Sequence, residues 1–163
     1  MGVRLQTADV DGARHAREEV ERIVAQIREA WPGVRIVVRG DSGFCRDALM
    51  TWCEAKGVDY VLGLARNKRL EAKIKPELEE ARRKHEKSGE PERVFKQFNY
   101  RTLDSWSRSR RVVAKAEHLR EKANPRFVVT TLSRKEARPA VVYEDRTCPR
   151  GEMENRIKEK QLY

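Results

Sequence analysis

Between residues 12 and 64 two helical patterns and two short apolar runs alternate, and this order constrains the fold more than any other feature. Val20, Ile23, Val24, Ile27 and Trp31 recur at helical spacing, which predicts a helix over 12–31 with Asp11 as N-cap and Pro32-Gly33 as its stop. "VRIVVR" (34–39) then reads as a short buried strand rich in β-branched residues. A second helix is expected from Phe44 to Lys56, with Leu49 and Cys53 facing inward and Gly57 at its end, before a second buried strand, "VDYVLGL" (58–64). Helix, strand, helix, strand implies parallel strands covered by helices.

The middle of the chain changes character. Residues 70–87 read as a charged helix in which Pro76 is tolerable only near the start of a turn. "KSGEPE" is a loop, and "VFKQFNY", "SRRVVAKAEHL" and "PRFVVTTL" read as strands, two to four of them between 94 and 132. The chain returns to helix at Gly151 and stays helical through "EMENRIKEKQLY". The opening "VRLQTADVDG" starts like a strand with no preceding segment to pair with, and the last helix reaches Tyr163 without a cap, so both ends read as cut.

Charge narrows the partner. The 163 residues carry 36 Lys and Arg against 26 Asp and Glu, a net charge of +10. Such an excess points to a polyanion, nucleic acid above all, or to a solubilising surface. Cys45, Cys53 and Cys148 form no C-x-x-C pair, which suits buried thiols in a reducing compartment better than disulfides or zinc. No apolar run approaches the ~18 residues of a membrane span, and no signal peptide opens the chain, so a cytoplasmic location without membrane association is expected.

Two carboxylates stand out. Asp41, in "VVRGDSGF", follows a predicted strand at the carboxyl edge of a parallel sheet, where open α/β folds bind their ligands. It could cap the following helix, or serve Mg²⁺, which takes hard oxygen ligands. Glu154, in "RGEMENRIKE", sits beside the apolar pair Met153 and Ile157 on the last helix. It belongs either to a solvated, ion-paired face or to the margin of the buried stripe, pointing over the sheet edge toward Asp41.

Together, "AWPGVRIVVRGDSGFCRDALMTWCEAKGVDYVLGLARN", "YRTLDSWSRSRRVVAKAEHL", "NPRFVVTTL" and "RGEMENRIKE" resemble the DDE-type transposases of bacterial insertion sequences, in the same order and over nearly the whole chain. The resemblance implies an α/β, RNase H-like fold: three antiparallel strands, a helix, then alternating parallel strands and helices. It also implies a β-rich insertion between the second and third acids. Residues 1–70 would be the first part of the core, lacking its first strands, with 1–10 as the end of the third strand. A charged helix and loop would follow at 71–92, the insertion at 93–133, and the return to the core at 134–163.

By motif, Asp41 matches the second catalytic acid and Glu154 the third. Arg150 matches the arginine of the related Y-x-x-R-x-x-x-E-x-x-x-x-x-x-K signature, whose tyrosine position is Thr147 here and whose lysine position is Gln161, with Lys158 and Lys160 nearby. No residue matches the first acid, since Asp9 and Asp11 fall next to the first helix, so the resemblance implies an incomplete triad and an inactive chain when alone. Asp41 and Glu154 would bind Mg²⁺ or Mn²⁺, weakly at most without the first acid.

The implied substrate is double-stranded DNA at transposon ends, with room for a homodimer in the DNA complex and association with the nucleoid. Residues 101–126 hold eight Lys or Arg against three acids, with Tyr100 and Trp106 among them. From this cluster Arg108, Arg110 and Arg111 are expected on DNA phosphates, with Trp106 either stacking on an unpaired base or packing a small core. Arg150 and Lys158 on the last helix, and Arg66, Lys68 and Arg69 after the second strand, complete the expected DNA contacts. Two other readings stand beside the transposase segment: a non-catalytic DNA-binding remnant that regulates an intact transposase, and a basic α/β domain for RNA or a nucleotide. The nucleotide version of the second is disfavoured by the lack of a glycine-rich phosphate loop.

Overall fold

The computed structural model describes residues 15–120 and 122–143, and residues 2–4 and 144 by their backbone alone. β1 (Gly2–Arg4), β2 (Val37–Gly40) and β3 (Asp59–Leu64) run parallel to one another. The opening segment therefore does have a partner, with Gly2 opposite Val37. α1 (Ala16–Ala30) joins β1 to β2, and α2 (Asp47–Ala55) joins β2 to β3, because a parallel pair needs a crossover longer than a hairpin.

α1 buries Val20 and Val24 as its spacing predicts, but Trp31 is 58% exposed. Trp31 is the C-cap residue with φ −138° and ψ 84°, so it has left the helical path and its ring turns outward rather than joining the stripe. Its candidate N-cap, Asp11, lies outside the described residues. The charged helix is two helices, α3 (Lys68–Lys73) and α4 (Lys75–Ser88). Pro76 occupies the first turn of α4, where its missing N–H costs nothing, and Ile74 between the two is fully buried.

The remaining strands are β4 (Glu92–Tyr100), β5 (Arg110–Leu119), β6 (Lys122–Ala123) and β7 (Arg126–Thr130). They continue the same sheet, in the order β1-β2-β3-β7-β5-β4 with β6 beside β5, and every pairing from β3 outward is antiparallel. A sheet expected from its first half to be parallel is thus mixed. A short helix that periodicity did not predict, α5 (Pro139–Glu144), opens on a proline that its first position tolerates.

Side chains alternate across this sheet with the period of two that pleating imposes. Tyr60, Leu62, Val112, Ala114, Phe127 and Val129 point to the larger core with α1, α2 and α3, while Val61, Val113 and Val128 point to the other face with Val142 and Tyr143 of α5. The Tyr143 hydroxyl lies 2.9 Å from the carbonyl of Val113 and 2.8 Å from that of Arg126, tying α5 to β5 and β7. Among the described residues no helix is long and apolar enough to cross a membrane.

Candidate active-site cleft

The turn after β2 explains the Gly-Asp-Ser-Gly run. A Cβ on Gly40 would stand 3.0–3.1 Å from three atoms of the buried Phe44 side chain, closer than such atoms pack. Phe44 closes a single 3₁₀ turn, Ser42–Phe44, and Asp41 is its N-cap, with Oδ1 accepting from the Gly43 N–H at 2.9 Å. Gly40→Ala is therefore expected to displace Phe44 and cost about 1–3 kcal/mol, the usual range for overpacking. Urea unfolding checks this, and a variant as stable as the wild type would show that the ring yields freely.

Asp41 does cap a turn, but the 3₁₀ turn rather than α2, whose first residue is Asp47. Capping and metal binding are compatible, since an ionised carboxylate has roughly four acceptor positions. The side chain is exposed and lines a cleft of about 550 Å³ with Ser42, Arg66, Asn124 and Arg126. This cleft lies where β2 and β3 end and β7 begins, the carboxyl edge of the parallel strands at which ligands bind in such sheets. Asp41 provides one hard oxygen donor there, and Mg²⁺ is usually held by one or two carboxylates plus substrate phosphates. Among the described residues no three acidic, His or Cys side chains come together, so a full ligand set requires residues beyond them. Glu154, Arg150 and Lys158 lie outside the described residues.

The basic residues separate into two kinds. Arg66 lines the cleft, its side chain 67% exposed and facing Glu71 at 3.9 Å. Lys68 is exposed on the first turn of α3. Arg69 lies over the Tyr100 ring, 5.1 Å from its centre, and donates to the Arg101 carbonyl at 3.4 Å, so packing occupies it.

Of the cluster expected to form a DNA-binding surface, Trp106 and Arg110 are internal, while Arg101, Arg108, Arg120, Lys122 and Arg126 are exposed. Trp106 is only 4% exposed, edge-on to Tyr100 at 5.7 Å and beneath the Arg110 guanidinium. In this arrangement its ring packs the core and offers no face to a base. Arg110 is also buried: Nε meets Glu54 Oε1 at 2.6 Å, Nη1 meets Asp47 Oδ1 at 2.8 Å and Nη2 meets Thr51 at 3.2 Å. Arg111, on the opposite face of β5, donates to Gln97 at 2.7 Å and to the carbonyls of Leu132 and Ala137, and burial lowers its pKa. The donors of both guanidinium groups are taken up by partners within the fold. Arg108 is exposed, with a single contact to Glu54 at 3.3 Å.

The acid side of the Arg110 node went unread in the sequence. Asp47, Thr51 and Glu54 recur at helical spacing and so share one face of α2, a signal present in "DALMTWCE". Burial alone would raise the pKa of Glu54, but hydrogen bonds from Arg110 and Tyr60 outweigh it and the net shift is downward. Asp47 is lowered in the same way, against its own burial, by Ser107 and Arg110. Burial pushes the thiols of Cys45 and Cys53 up to about 12, so both are inert packing groups, while Cys148 lies outside the described residues.

No curated protein matches the chain. The family described as transposase DDE domain, group 1, matches residues 1–163 from end to end. A carboxylate at the strand ends of a mixed sheet, in a cleft it shares with arginines, sits in a chain that belongs to this DDE transposase family.

Proposed function

We propose that this chain supplies the second and third acids, Asp41 and Glu154, of an RNase H-like transposase core that cleaves and transfers DNA strands at the ends of an insertion sequence. The observation that carries the reading is Asp41 at the carboxyl end of β2, in a basic cleft, within a family match spanning all 163 residues. Asp41 and Glu154 would hold Mg²⁺ or Mn²⁺, which supplies Lewis acidity and a more acidic bound water. The Gly43 N–H fixes the carboxylate of Asp41, and Arg66 beside it offsets phosphate charge. The strands from 92 to 130 serve as the β-rich segment between the two acids, and Arg150 and Lys158 flank Glu154 toward the DNA. The complex would act in the bacterial cytoplasm, on the nucleoid.

No position in these 163 residues matches the family's first acid, so the purified polypeptide is expected to bind DNA yet nick it little or not at all with Mn²⁺. Two results would count against this. Failure to bind any duplex at low salt would sink the transposase reading, and Mn²⁺-dependent nicking that disappears in Asp41→Asn would show that two acids suffice.

A further inference from the structure

β3 and β7 leave the sheet together on the side of Asp41. Their outermost paired residues are Leu64 and Phe127, so Ala65 and Arg66 run out beside Pro125 and Arg126 from adjacent strands. Neighbouring strands lie about 4.8 Å apart, and both arginines line the cleft that contains Asp41. The wall bearing Arg126 is held in place by Asn124, whose N–H donates to the Glu117 carbonyl at 2.7 Å and whose side-chain amide donates to the Glu117 carboxylate at 2.9 Å.

The two cleft arginines differ from their neighbours in what occupies them. Arg110 and Arg111 spend their donors on partners within the fold, and Arg69 lies on Tyr100. Arg126 is exposed and forms no ion pair with another described residue, while Arg66 has only Glu71 at 3.9 Å. Exposed guanidinium forks in a concave site suit phosphate oxygens, which they bind through paired N–H donors.

We infer that Arg66 and Arg126 form a phosphodiester clamp, which seats the backbone of the bound DNA strand in the cleft so that one of its linkages lies beside Asp41. This rests on the reading of the chain as a DNA-acting transposase segment; it adds Arg126 to the expected DNA contact Arg66 and assigns the two a joint role. Arg126 reaches the cleft of Asp41 because β7 pairs with β3.

The test is the salt dependence of binding to a random-sequence DNA duplex, measured by fluorescence anisotropy on the full chain. Each phosphate contact adds about 0.9 to the slope of log K against log salt. Arg66→Ala with Arg126→Ala should therefore lower the slope by about 2, so that raising salt from about 50 to 200 mM costs the double variant roughly tenfold less affinity than the wild type. Arg126→Lys should keep the wild-type slope, since it retains the charge. Arg35→Ala should also keep it, because Arg35 sits at the other end of the sheet with Asp59 and Glu136 at 2.8 Å. Wild-type binding with an unchanged slope in the double variant would overturn the clamp alone, as would an equal drop in Arg35→Ala. A wild-type chain with no salt-dependent DNA binding would overturn the clamp and the transposase reading together.

Discussion

Asp41→Asn is expected to abolish metal-dependent strand cleavage wherever residues 1–163 act with a first acid supplied in cis or in trans. The substitution keeps the shape of the side chain and an oxygen for the Gly43 N–H, so the 3₁₀ turn and the packing of Phe44 on Gly40 should survive. What it removes is the negative charge at the strand end. Metal polarisation of a phosphoryl oxygen contributes several kcal/mol to such reactions, and losing about 4 kcal/mol corresponds to roughly 10³-fold in rate. DNA binding should change little, because phosphate contacts come from the basic residues. A cleavage assay on end-containing DNA, run beside a binding titration, separates the two effects. Cleavage within tenfold of the wild type would remove Asp41 from the metal site and leave it a turn cap.

Arg110→Ala should produce the largest loss of stability. It removes a guanidinium whose side chain is 3% exposed and which joins α2 to β5 through Asp47 and Glu54, themselves 27% and 15% exposed. Removing one partner from such a pair leaves uncompensated charge, at about 3–5 kcal/mol when the site is buried. Solvent reaching Asp47 should bring the value toward the lower end of that range.

The pH dependence gives a sharper signature. In the wild type Glu54 and Asp47 are held below their ordinary values, so their contribution is present above the unfolded pKa, near 4. It is lost as pH falls through the folded pKa. Without Arg110, burial of Glu54 is opposed by the Tyr60 hydroxyl and Arg108 alone, so its pKa rises relative to the wild type and less stability is lost on acidification. The stability gap between wild type and variant should therefore hold from pH 7 to about 4 and narrow as pH falls below it in urea titrations. A gap independent of pH would mean that lost packing on Trp106, rather than the ion pairs, carries the effect.

Trp106 and Arg110 also show where reading the chain reaches its limit. Bases and aromatics interleaved between residues 100 and 111 have the composition of a nucleic-acid surface, yet α2 brings Asp47 and Glu54 from more than fifty residues earlier to neutralise Arg110. Arg126 shows the reverse. It was one base among eight in sequence, and pairing between β3 and β7 sets it in the wall of the Asp41 cleft.

The sequence by itself determined most of the local elements, though not the short helix α5 or the break at Ile74, because apolar period, β-branching, Pro76 and the turn glycines act over a few residues. It also determined the family and the place of Asp41 at a strand end, since strand, Gly40, Asp41 and Phe44 are contiguous. Only the tertiary structure decided that the later strands extend the same sheet in antiparallel order, and which arginines face solvent. Whether a guanidinium meets water or a carboxylate depends on segments distant in sequence that pairing and burial bring together, and no short-range pattern encodes that choice.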